Sequence, residues 1–162
     1  MKIRSFVVTG AVLAFGELVA MAVTPVPGTT IPAMSGHSWP SANDPCFSTS
    51  FAQVENTCVN GPQHLLVIPA AVPSTNMIYT ASARVAGGSS TAGSTCQAMG
   101  IDQDNKSFWF SSLVSSTSWD TAQTMNLGQV GVPTGGTLHF ECEIGGADWY
   151  GIGGRVINVS FK

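Results

Sequence analysis

Leu138-His139-Phe140-Glu141-Cys142-Glu143-Ile144 alternates apolar and polar residues without a break. A strand with that period sends Leu138, Phe140, Cys142 and Ile144 to one face, and His139, Glu141 and Glu143 to the other. The first face calls for a second layer to bury it, and the second meets water, as in an antiparallel sheet with one solvated side. The segment Val156 to Phe161 repeats the pattern, with Ile157, Val159 and Phe161 expected inward.

Upstream, the chain reads as more short strands between turn residues. The candidates are Phe51 to Glu55, His64 to Ile68 (limited by Pro69), Met77 to Ala86, Thr95 to Ile101, Ser107 to Leu113 and Thr124 to Val130. Gly, Pro, Asn and Asp fill the gaps, and no segment beyond the N-terminal leader carries a sustained helical stripe. Seven or eight short strands with this punctuation predict an all-β antiparallel sandwich.

Four cysteines, Cys46, Cys58, Cys96 and Cys142, lie in this region. They allow three pairings, among which sequence alone does not choose. Cys46–Cys58 with Cys96–Cys142 is the favoured set. The first closes a loop of 12 positions, which restrains the unfolded chain by roughly 3 kcal/mol in the loop-entropy account. The second closes a longer loop. A structural zinc site would want a close C-x-x-C pair, and the chain has none.

Cys96, then Trp109, then Phe140-Glu141-Cys142 resembles the immunoglobulin pattern of cysteine, tryptophan and an aromatic two before the second cysteine. The resemblance covers Cys96 to Cys142 only and implies an immunoglobulin-like sandwich. Phe140 departs from the pattern, since it lacks the hydroxyl of a tyrosine corner.

The N-terminus reads as an export signal over residues 1–22. Lys2 and Arg4 precede an apolar stretch, and Ala20-Met21-Ala22 is a small-x-small cleavage site. The uncharged run Ser5 to Gly16 falls short of the about 20 residues that span a bilayer, and Glu17 ends it. No membrane span is expected in the mature form, which is placed outside the cell or in the periplasm, where cysteines become crosslinks. Residues 23–45 carry five prolines and no apolar period, so they read as a Pro-rich linker or loose arm. The alternative is an edge segment that docks Ile31 or Trp39. Residues 46–162 form the sandwich domain.

Charge narrows the partners. The chain carries −3 overall, and loss of Lys2, Arg4 and Glu17 with the leader makes the mature form about −4. Its basic residues Arg84, Lys106, Arg155 and Lys162 are scattered, whereas nucleic acid needs clustered cations.

No G-x-S-x-G elbow is present, and neither catalytic residues nor cofactor is assigned. Asp102-Gln103-Asp104-Asn105-Lys106 starts like a calcium loop, but its third ligand position is a lysine, so it reads as a hairpin turn and no metal is expected. His139, Glu141 and Glu143 share one strand face about 7 Å apart. They supply the alternative reading, a small secreted hydrolase using His139 with Glu141 or Glu143, against the plainer one of a solvated face. The aromatics point to binding. Trp109, Trp119, Trp149 and Tyr150 fall near turns, several beside aspartates. Rings of this kind stack on sugar faces while their polar tips hold hydroxyls. The leading expectation is a secreted non-enzymatic module, binding, adhesive or extracellular-structural, whose partner is a polysaccharide or cell-surface component.

Overall fold

The computed structural model describes residues 28–59, 63–87, 89, 92–119 and 121–162. The leader, 1–22, and the first residues of the lead lie outside these. Twelve strands run in chain order: β1 (Thr29–Pro32), β2 (His37–Trp39), β3 (Phe47–Ser50), β4 (Gln53–Asn56), β5 (His64–Ala70), β6 (Met77–Ala86), β7 (Ser94–Ile101), β8 (Phe108–Phe110), β9 (Val114–Ser115), β10 (Gln123–Val132), β11 (Thr137–Ile144) and β12 (Arg155–Phe161). The helical content among the described residues is two 3-10 turns, Ala33–Ser35 and Ser41–Cys46.

The strands form two six-stranded antiparallel sheets. The first has the order β10-β6-β12-β4-β3, with β1 also on β12; the second has β2-β5-β11-β7-β8, with β9 also on β7. The all-β sandwich expected from the sequence is therefore present, with twelve strands rather than seven or eight. The surplus is in strands of two to four residues, too short to show a period.

Between the sheets lies an apolar core. Leu138, Phe140, Cys142 and Ile144 of β11 are all fully buried, as their alternation requires. They pack with Leu66, Ile68, Val85, Leu127, Val130, Val156 and Val159. Cys46 bonds Cys58, and Cys96 bonds Cys142, the favoured pairing.

That second disulfide separates the fold from the immunoglobulin pattern. Cys96 and Cys142 stand directly opposite each other on neighbouring strands of one sheet. The immunoglobulin bridge instead joins the two sheets, with a buried tryptophan against it. Trp109 here is on the short edge strand β8 and is 41% exposed.

Residues 28–45 also depart from the loose-arm expectation. Thr29–Pro32 pairs with Asn158–Phe161, and His37–Trp39 pairs with Leu65–Val67. Ile31 packs on the core, while Trp39 stays exposed. The lead is thus a docked edge of both sheets, and proline suits such edges because it removes a donor that an edge leaves unpaired.

One further side-chain expectation, Ile157 inward, is reversed. A bulge between Val156 and Asn158 shifts the phase of β12, so Val156 is buried and Ile157 is half-buried. Phe108 and Phe110 pair with Ile101 and Met99, which share the outer face, so the two phenylalanines point outward and stack at 6.4 Å.

Candidate functional site

Trp149 and Tyr150 are 87% and 89% exposed, on the connection from β11 to β12. Rings of that size left in water forgo a large hydrophobic gain. The backbone beneath them is well fastened. The Asp148 carboxylate accepts from the Tyr150 N–H at 2.9 Å and the Ile152 N–H at 3.1 Å. The Gly151 N–H donates to the Asp148 carbonyl at 3.0 Å, and Gly151 has φ +76°, a conformation that suits glycine. An aspartate closing such a turn on its own following N–H groups is what its short side chain does best.

The base of this connection is tied to both sheets. The Ala147 N–H donates to the Cys58 carbonyl at 3.0 Å, and the Gly153 N–H donates to a Glu55 carboxylate oxygen at 3.1 Å. The buried Asn56 amide donates to the Ile144 carbonyl at 2.9 Å, which joins β4 of one sheet to β11 of the other. A Cβ at Gly153 would run into the Asn56 carbonyl oxygen, so only glycine lets the chain pass there. The two rings are presented on an anchored turn.

The other sequence-selected aromatics do not all join them. Trp119 is half-buried over Gly93, where an added Cβ would lie 3.0 Å from the indole. Gly93 accepts the Gly145 N–H at 2.8 Å, so Trp119 braces the same end of the sandwich and does not present a free ring. Trp109 pairs with Gly100, seven residues along the strand direction from Gly93, or roughly 23 Å away. It leans on Gly131 of β10, beside the outward Phe108 and Phe110.

The His139, Glu141 and Glu143 face lies at the centre of the second sheet's outer side. The His139 Nε2 shares a hydrogen bond with the Thr137 hydroxyl at 3.0 Å, and Glu141 accepts from the Gln97 amide at 2.8 Å. Histidine and carboxylate are each engaged elsewhere, so the base is not held by an acid as acyl transfer requires. A hollow of only about 100 Å³ adjoins Glu141 and Glu143. Among the described residues no group of three or more His, Cys, Asp or Glu is placed to hold a metal ion. The Asp102 region is a hairpin turn: its carboxylate accepts from the Lys106 N–H at 2.7 Å, and Asn105 has φ 56°. That backbone bond, more than any charge, lowers the Asp102 pKa. No helix among the described residues is long and apolar enough to cross a membrane.

Sequence reading missed a further hollow of about 310 Å³ on the outer face of the first sheet. Its walls come from Gly28, Thr80, Ala81, Ser82, Asn126, Ser160, Phe161 and Lys162, on four strands or their ends. No single segment signals it, because each contributes one or two ordinary polar residues.

No protein-family profile and no curated protein sequence matches the chain. Solved structures do. The Podospora anserina GH26-CBM35 β-(1,4)-mannanase superposes with a TM-score of 0.51 at 12% identity, over 83% of this chain and 27% of that one. The C-terminal CBM6 of LamC from Zobellia galactanivorans gives 0.48 at 13% identity, over 83% of this chain and 98% of that one. A carbohydrate binding module from Cellvibrio mixtus lichenase 5A, in complex with cellotriose, gives 0.44 at 13% identity, over 83% and 95%. The chain thus spans about a quarter of the mannanase it resembles, and at such identities the likeness is one of fold.

Proposed function

We propose that the chain is an exported, non-catalytic carbohydrate-binding module, with Trp149 and Tyr150 as its ring platform. The observation that carries this reading is the pair of nearly fully exposed rings on a turn pinned by Asp148 and Glu55. A turn whose backbone is already fastened has less freedom to lose on binding, and flat apolar faces suit the faces of sugar rings. The two disulfides fit an extracellular protein. The β-sandwich shared with the mannanase chain agrees with the reading without choosing a ligand. The hydrolase alternative finds less support, since His139 and Glu141 are bonded to Thr137 and Gln97 instead of each other.

The test is retention on insoluble polysaccharides and affinity electrophoresis in soluble ones, covering β-glucans, mannans, xylans and acidic polymers. The native chain is retained on at least one of these. Trp149→Ala weakens that binding about tenfold, equivalent to about 1.4 kcal/mol, with an unchanged melting temperature. A native chain that no polysaccharide retains ends the reading and leaves an adhesive or structural role.

A further inference from the structure

The outer face of the first sheet differs in chemistry from that of the second. Bulges in β10, between Asn126 and Gly128, and in β12, between Val156 and Asn158, bend this sheet and hollow its face. One row across the hollow runs Asn126, Ser82, Ser160, Thr30. The Ser82 and Ser160 hydroxyls lie 2.8 Å apart. The next row along β6 places Arg84 between Thr124 and Asn158, and beyond it Arg155 stands between Ala86 and Glu55. Arg84 and Arg155 are therefore diagonal neighbours on one face, about 7 to 8 Å apart at their backbones.

Among the described residues neither guanidinium has a carboxylate oxygen within 4.0 Å. Among the described residues the ion pair within 4.0 Å is Lys106–Asp104, at the far hairpin. Glu55 faces Arg155 but accepts from the Gly153 N–H instead. The Arg155 Nε is buried without a hydrogen-bond partner. None of the residues lining the hollow is acidic, and Lys162 lines it; Arg84 and Arg155 stand in the rows beyond it, with Glu55 opposite Arg155. The outer face of this sheet thus sets hydroxyls and an amide in the hollow beside two arginines in the adjoining rows, in a protein of net negative charge.

We propose that this face binds an acidic polysaccharide, with uronate carboxylates seated on Arg84 and Arg155 and sugar hydroxyls on Ser82, Ser160, Asn126 and Thr80. Guanidinium and carboxylate match in shape and form paired, charge-assisted bonds, while the short hydroxyl and amide side chains can exchange bonds with the sugar hydroxyls between the charges. The assignment takes its ligand class from the glycan-binding reading and uses different residues, so the two can fail separately.

The experiment compares polygalacturonate with its methyl-esterified form, which has the same backbone without the charges. The full chain and its Arg84→Gln, Lys162→Gln and Trp149→Ala variants are titrated at low and moderate salt. The native chain is expected to prefer the acid form at least tenfold at low salt, less as salt screens the pairs. Arg84 is exposed, so Arg84→Gln folds normally; it is expected to reduce the preference severalfold, the remainder resting on Arg155, while leaving binding to the ester unchanged. Equal binding of both forms, or a preference undiminished in Arg84→Gln, overturns the proposal. Phosphatidylserine vesicles bound through Arg84 without any acidic polymer bound would also overturn it, in favour of a membrane surface. Loss of ester binding in Trp149→Ala with the acid preference intact supports both readings. Retention of neither polymer, nor of any other polysaccharide, removes both together.

Discussion

His139 shows how much one residue's chemistry depends on strands other than its own. Alternation along β11 places it on the outer face, and it is there, half-buried. Its pKa is lowered, first by burial, which disfavours the charged ring, and further by His37 from β2; Glu141 pulls the other way. Only the Glu141 part was legible, because it lies two residues along the same strand. His37 reaches this face through the pairing of β2 with β5, a segment read as a loose arm. The sign of the consequence follows. A histidine whose folded pKa lies below its unfolded value of about 6.5 gives full stability above that value, and loses it as pH falls through the folded pKa. The melting temperature should therefore fall between pH 7 and pH 5 by more in the native chain than in His139→Gln. Proton-resonance titration of the ring gives the direct check, and a midpoint at or above the ordinary histidine value would contradict the account.

At the scale of elements, turn chemistry sets what can be read. By sequence Phe51-Ala52 reads as the start of a strand, because an apolar aromatic usually belongs to one. In the structure the pair is the two-residue turn joining β3 to β4, with φ of 48° and 68°. Two positive φ values mark the kind of hairpin turn that Asn-Gly normally makes, so the sequence carried no warning. Phe51 is 99% exposed at its tip. The hairpin persists because its base is tied by Cys46–Cys58 and by the Thr57 N–H on the Cys46 carbonyl at 2.8 Å. Substituting Ala52→Gly should stabilise the protein by about 1 kcal/mol, since glycine adopts this conformation without the penalty that an L side chain bears. Denaturant titration measures it, and destabilisation by that substitution would mean that the turn is not held as described. The bulge at Ile157 was hidden for a related reason: one extra residue reverses inward and outward, and composition does not register it.

For the whole molecule, the sandwich and its core were legible because burial imposes a two-residue period on the long strands, broken in β10 and β12 only at their bulges. The hollow face of the first sheet was not, since it is assembled from residues that lie far apart in the chain. How closely the sheets approach is also a property of the assembled molecule, and glycine decides it at one corner. Gly100 of β7 faces Gly131 of β10, so that a Cβ at Gly100 would run into the Gly131 carbonyl oxygen. Backbone cannot swing aside as a side-chain end can, so Gly100→Ala must push the sheets apart or shift the β10 edge. Overpacking of this kind costs about 1 to 3 kcal/mol. Gly131→Ala is the control: its Cβ would meet the Trp109 indole at 3.8 Å, an ordinary contact. Thermal melts should thus show Gly100→Ala lowered by several degrees and Gly131→Ala nearly unchanged. Equal effects of the two substitutions would show that β7 and β10 do not close as tightly as this packing requires, and Trp109 would then lose the support that holds it against β10.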